Sequence, residues 1–194
     1  TCLAALGLGR TVVTGERAIR FSPGRPQSLP QFSSTADTLE NAQRQFYALD
    51  LDRVPAVLGT DEMTGLVRLD LDAAEGHGTL DQVGSTYSPD NDAVYEGTSR
   101  AGIRLVTLAP MLKSGTFPLA RILSWLLSMG SRALSCPVEI EFAVNLRPAS
   151  GGPPEFAFLQ IRPMVIQTSA VDLNRLTARA GRGGILCRST RALG

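Results

Sequence analysis

The stretch that most constrains this chain is Val138-Glu139-Ile140-Glu141-Phe142-Ala143-Val144. Its apolar residues recur with period two, placing Val138, Ile140, Phe142 and Val144 on one face and Glu139 and Glu141 on the other. That pattern is a half-buried strand. Residues 145–154 are rich in proline and glycine, and a second strand is expected over 155–162, so the two should pair as an antiparallel hairpin with a longer loop. Ahead of them, 117–132 reads as a helix with Pro118 in its first turn. A helix packed on antiparallel strands gives an α+β class, mostly antiparallel sheet with packed helices.

Upstream the signals are more local. The β-branched run Thr11-Val12-Val13 predicts a strand, as does 17–21, and the proline- and serine-bearing 22–34 predicts an irregular loop. Ser34 or Asp37 should cap a helix reaching about residue 49, with Leu39, Ala42, Phe46 and Leu49 at helical spacing. Residues 64–71 alternate as a short strand. The polar, glycine-rich 72–92 is expected to be a surface loop, followed by strands at 93–96 and 103–108 joined through Gly97-Thr98-Ser99. Trp125 falls inside the 117–132 helix and is expected in the core. Residues 169–182 read as an arginine-bearing linker with some helix, and 183–194 as the opening of a following domain. The expected division is therefore 1–168 and 169–194.

Composition narrows the function classes. A chain of 194 residues, 43% hydrophobic, can bury a core. Its net charge of +1 provides no field for nucleic acid or an acidic membrane surface, so neither is an expected partner. The most apolar run, 117–129, contains Arg121 and is too short to span a bilayer. Cys2, Cys136 and Cys187 are odd in number, far apart and outside any metal-ligand spacing, which suits a reduced, cytoplasmic protein. A start without methionine, in the middle of an apolar element, points to a piece of a longer polypeptide.

Glu139 and Glu141 carry the sharpest chemistry. Carboxylates at i and i+2 on a strand lie roughly 7 Å apart at their α-carbons and can converge on one cation. Hard oxygen ligands of that kind suit Mg²⁺ shared with nucleotide phosphates. The plainer alternative is a solvated strand face. On the partner strand Gln160 and Arg162 also share a face. An arginine can clamp phosphate bidentately, and a glutamine can orient a phosphate or metal-bound oxygen. Whether all four share one face depends on a register that the connection does not reveal. Other signals are weaker. Gly7-Leu8-Gly9 lacks the third glycine and the acidic partner of a dinucleotide fingerprint. His77, the lone histidine, reads as structural or solvated, and Arg100, Arg104 and Lys113 form either a basic patch or a solvated face.

Three separated motifs then resemble one family in its own order. Gly7-Leu8-Gly9-Arg10-Thr11-Val12-Val13-Thr14-Gly15, Pro137-Val138-Glu139-Ile140-Glu141-Phe142 and Phe158-Leu159-Gln160-Ile161-Arg162-Pro163 are similar to the stretches closing the ATP-grasp domain of phosphoenolpyruvate synthases and pyruvate, phosphate dikinases. The resemblance frames residues 7 to 164, with 22–116 as an elaboration. It implies an ATP- and Mg²⁺-binding part of a phosphotransferase, in which a histidine on another domain accepts the β-phosphoryl group and passes it to pyruvate. Glu139 and Glu141 would then be the Mg²⁺ carboxylates. Gln160, Arg162 and Arg10 would be nucleotide contacts. The implied partners are the rest of the parent polypeptide: the first ATP-grasp half, the phosphohistidine domain and a barrel domain.

The chain also departs from the family pattern. Arg10 stands where the family carries a metal-site glutamate, and it is expected to pair with Glu139 or Glu141 in that glutamate's stead. Glu139 replaces an aspartate. The Thr-Ser-His phosphocarrier motif is missing, as are the lysine and arginine of the first ATP-grasp half, so the chain alone is expected to complete no turnover, and without that half of the ATP sandwich to bind Mg·ATP weakly or not at all. Two alternatives stand beside the phosphotransferase reading: a non-catalytic ATP-grasp-like regulatory module, and an interaction domain sharing only the strand pattern.

Overall fold

The computed structural model describes residues 1–52, 65–148 and 151–164. By contact density the chain divides after Pro163, and the architecture that follows is that of Thr1–Pro163. In chain order its elements are β1 (Cys2–Ala4), α1 (Arg10–Thr14), β2 (Ile19–Phe21), α2 (Thr35–Asn41), β3 (Gln45–Leu49), β4 (Leu66–Asp70), α3 (Leu71–Gly76), β5 (Gly84–Ser88), β6 (Ala93–Glu96), β7 (Ile103–Val106), α4 (Ala109–Leu112), α5 (Leu119–Leu134), β8 (Val138–Asn145) and β9 (Glu155–Pro163). All described sheets are antiparallel: β1–β2, β3–β4, β8–β9 and the three-stranded β6-β5-β7. The class is α+β. The expected linker, the following segment, the boundary at 168/169 and Cys187 lie outside the described residues.

One apolar cluster ties these pieces together. Ile19 and Phe21 of β2, Leu71 and Ala74 of α3, Val106 of β7 and Leu123 of α5 are all buried in it. Ile140, Phe142 and Val144 pack against it from β8, as the alternation requires. Helix α5 approaches the hairpin at Gly130. A Cβ there would stand 2.5 Å from Ile161 Cδ1 and 3.2 Å from Val138 Cγ2, so the crossing is close where residue 130 carries no side chain, and a larger residue would have to displace the Ile161 tip. No described helix is long and apolar enough to cross a membrane.

Several local expectations are overturned. Residues 72–92 are not a surface loop, since they contribute α3 and the central strand β5. Strands β6 and β7 consequently pair with β5 instead of with each other. The polar composition of β5 misleads because its hydroxyls find partners inside the protein. Ser85 and Thr107 hydroxyls lie 2.6 Å apart. Thr86 donates to Gly97 O at 2.8 Å and accepts from Arg104 Nη1 at 2.9 Å. A buried hydroxyl satisfied in this way carries little penalty.

The helix capped by Ser34 ends at Asn41, not near residue 49. Ala42 turns to extended backbone (ψ 142°), and Gln43 buries its amide against the N-terminal loop. The aromatic run after it then pairs with β4 as β3. Thr11-Val12-Val13 is helical, inside α1. Gly9 O accepts from both Val12 N and Val13 N, and Gly15 closes the turn in the left-handed region (φ 73°). Val13 is 87% exposed, so no sheet neighbour rewards its β propensity. Trp125 lies on the outer side of α5 at 59% exposure, not in the core.

Candidate functional site

The register of the β8–β9 hairpin brings the four predicted residues of its polar side together. Glu139 lies opposite Arg162 and Glu141 opposite Gln160. Arg162 Nε donates to Glu139 Oε2 at 2.8 Å, and its Nη2 stands 4.0 Å from Glu141 Oε1. All four side chains are exposed. A register irregularity follows directly: Phe142 opposes Phe158, so Leu159 is the extra residue on β9. Without that bulge, Phe156 and Phe158 could not share the apolar face with Ile161. With it, the Phe142 and Phe156 rings stack at 5.5 Å while Gln160 and Arg162 keep the polar face.

Two carboxylates fall short of a closed metal site. Among the described residues no group of three or more His, Cys, Asp or Glu side chains could hold a metal ion. Magnesium, however, is commonly held by one or two carboxylates, with water and substrate phosphates completing its shell. Glu139 and Glu141 fit that mode. The Gln160 amide and the Arg162 guanidinium lie beside them on the same face.

Arg10 is not part of this group. No ion pair joins it to Glu139 or Glu141, and Arg162 takes the place expected for it. Arg10 instead opens α1, with its guanidinium over the Tyr47 ring at 5.5 Å. Two glycine-dependent contacts hold it there. Leu8 N donates to Tyr47 O at 2.9 Å, and Gly7 (φ 89°) passes so close that a Cβ would come within 2.6 Å of that same oxygen.

The surroundings of Arg10 are assembled by strand pairing and carry no sequence motif. Tyr47 and Arg68 are direct cross-strand partners between β3 and β4, and the Arg68 guanidinium lies 5.8 Å from the Tyr47 ring centre. Together with Arg17 and Arg44 they line a cleft of about 600 Å³. The adjacent aromatics Phe46-Tyr47 favour a strand, but Leu39, Ala42, Phe46 and Leu49 also stand at helical spacing.

The remaining candidates are structural. His77 is exposed and caps α3, its N–H donating to Ala73 O. Arg104 is no solvated residue: only 18% exposed, it holds both oxygens of Glu75 and also reaches Arg100 O. That guanidinium keeps the Glu75 carboxyl below its ordinary range. Burial pushes the Cys2 thiol up to about 12, so it is no thiolate nucleophile.

No family model matches the chain, and no curated protein or solved structure matches it either.

Proposed function

We propose that this chain is the ATP- and Mg²⁺-binding part of a phosphotransferase resembling phosphoenolpyruvate synthase or pyruvate, phosphate dikinase, and that it forms the C-terminal portion of an ATP-grasp domain. The observation that carries the reading is the hairpin register. It sets two carboxylates, an amide and a guanidinium of the expected kinds side by side on one solvent-facing surface. A bound Mg²⁺ would supply charge neutralisation at the phosphates. Glu139 and Glu141 would hold it, Arg162 would release its exposed ion pair to clamp a phosphate, and Gln160 would orient one of its oxygens. Phosphoryl transfer asks a protein chiefly for such positioning and neutralisation. The acceptor histidine, the barrel and the first ATP-grasp half would come from the rest of the parent polypeptide.

The test is Glu141→Gln in the parent polypeptide, followed as ATP-dependent phosphorylation of the partner-domain histidine. The rate should fall on the order of a hundredfold, with the melting temperature unchanged because the apolar face of β8 is untouched. Undiminished phosphorylation would remove Glu141 from the chemistry. A second reading rests on the Arg162–Glu139 pair and on Arg10 lying at Tyr47: the module is a non-catalytic ATP-grasp relative whose carboxylates are neutralised from within. In that case neither the parent protein nor the variant phosphorylates a histidine.

A further inference from the structure

We propose that the cleft between α1, β3 and β4 is a second, metal-independent site, which binds the phosphoryl groups of a small phosphorylated ligand directly on arginine. It shares no residue with the polar face of the hairpin, and it stands whether or not the ATP reading holds.

Its charge is the first reason. Arg17, Arg44 and Arg68 line the cleft, and Arg10 stands beside them over Tyr47. Two carboxylates face these four cations. Glu16 meets Arg68 at 3.8 Å with both side chains about half exposed, and Asp70 is occupied by Gln45 Nε2 at 2.7 Å. Arg44 spends one donor on Leu39 O at 2.8 Å, and no side-chain hydrogen bond or ion pair engages Arg17 among the described residues. Like charges gathered with so little internal compensation are expected where an anion is received.

Two further observations are independent of charge. Arg10 Nε is buried without a hydrogen-bond partner, an uncommon state for a guanidinium, although Arg10 itself is not among the residues that line the cleft. Arg17 adopts φ 45°, a left-handed backbone that a long side chain rarely takes without a local reason. That strain falls at the cleft, on the arginine with the fewest partners.

The geometry also selects the ligand. Tyr47 has two guanidinium groups over its ring, so it serves to hold arginines and not to stack a base. A carboxylate satisfies one guanidinium fork, whereas a phosphate or pyrophosphate offers enough oxygens for several at once. A volume of about 600 Å³ suits a small molecule.

The experiment is calorimetric titration of the 194-residue chain with pyrophosphate in EDTA, which removes any contribution from a metal-dependent site. One saturable site is expected, weakening several-fold as salt rises from low to physiological strength. Arg17→Gly relieves the strained backbone while deleting the guanidinium, so it should keep or raise the melting temperature and weaken binding at least tenfold. Arg68→Ala should do the same to binding, and Arg162→Ala on the hairpin should leave it unchanged. An ADP arm identifies the source of the phosphate. Tighter binding than pyrophosphate, lost in Arg68→Ala, assigns a nucleoside phosphate; equal or weaker binding, likewise lost, assigns the phosphoryl anion alone. Absence of pyrophosphate binding, binding indifferent to Arg17→Gly and Arg68→Ala, or loss in Arg162→Ala would each overturn the proposal.

Discussion

Gln43→Leu tests how the cleft is held together. Gln43 is 2% exposed and sits between the N-terminal loop and the central sheet. Its Oε1 accepts from Leu6 N at 2.8 Å, and its Nε2 donates to Leu6 O and Gln45 O, both at 2.9 Å. Its own carbonyl accepts Val106 N at 2.9 Å, a bond that survives any side-chain change. Leucine nearly preserves the volume, so the loss is mainly of three side-chain hydrogen bonds. At about 1 kcal/mol each they sum to about 3 kcal/mol, and more if the Leu6 groups stay dry. For a domain of this size that lowers the melting temperature by about 6–12 °C. Chemical denaturation of wild type and variant under identical conditions measures it.

Gln43→Glu sharpens the test. It keeps the acceptor for Leu6 N but turns an oxygen toward two carbonyls that expect a donor. The new carboxyl should therefore have a raised pKa, and its deficit relative to wild type should shrink as pH falls and the group becomes a donor. Because Leu6 leads directly into Gly7 and α1, both variants should also loosen Arg10 from Tyr47 and weaken pyrophosphate binding. A loss below about 1 kcal/mol for Gln43→Leu, with binding intact, would refute the reasoning.

Three other outcomes are expected. The folded-state pKa of Glu75 is depressed by Arg104, so its contribution is present above the ordinary glutamate range and is lost as pH falls through the lowered folded value. Denaturation curves of wild type and Glu75→Gln should accordingly be separated at neutral pH and converge only once the pH has fallen below that lowered value. Gly130→Ala sets about 1 kcal/mol of helix propensity against overpacking of about 1–3 kcal/mol at Ile161; it should destabilise, and adding Ile161→Val, which removes the clashing Cδ1, should restore or exceed wild-type stability. Gly102 has φ 145°, and a Cβ there would overlap the Tyr87 carbonyl, so Gly102→Ala should lower stability by about 2 kcal/mol or more, read from the denaturation midpoint.

The hairpin was legible because its side chains obey one period and one face. Its bulge was not: Ala157, Leu159, Ile161 and Pro163 offer an unbroken apolar alternation on β9, and only the pairing of Phe142 with Phe158 makes Leu159 the extra residue. β5 was illegible for the opposite reason. Gly84-Ser85-Thr86-Tyr87-Ser88 has the composition of a loop, and only residues 11 to 22 positions away, Gly97, Arg104 and Thr107, make it a core strand. α1 shows propensity yielding to backbone: glycines at 7, 9 and 15 shape a single turn that the β-branched residues must follow. The cleft could not be seen at all, because Tyr47 and Arg68 are brought together by strand pairing and neither belongs to a recognisable motif.

The two candidate sites distribute stability and binding differently. On the hairpin they lie on opposite faces of the same strands. Val138, Ile140 and Phe142 carry the packing, while the half-exposed pairs of Arg162 with Glu139 and Glu141 are worth at most about 1 kcal/mol. Substitutions there should separate cleanly, polar ones changing ligand affinity and apolar ones changing stability. In the cleft the same residues do both. Gln43 secures the loop that carries Arg10, and Tyr47 is at once a strand residue, the acceptor that anchors Leu8 and the platform for two guanidiniums. Cleft variants should therefore move affinity and stability together, except at Arg17, where the unfavourable backbone opposes folding while the side chain is free to serve a ligand. Arg17→Gly is thus the one substitution for which the two quantities should move in opposite directions, and a parallel fall in both would mean that Arg17 is held for the fold and not for a ligand.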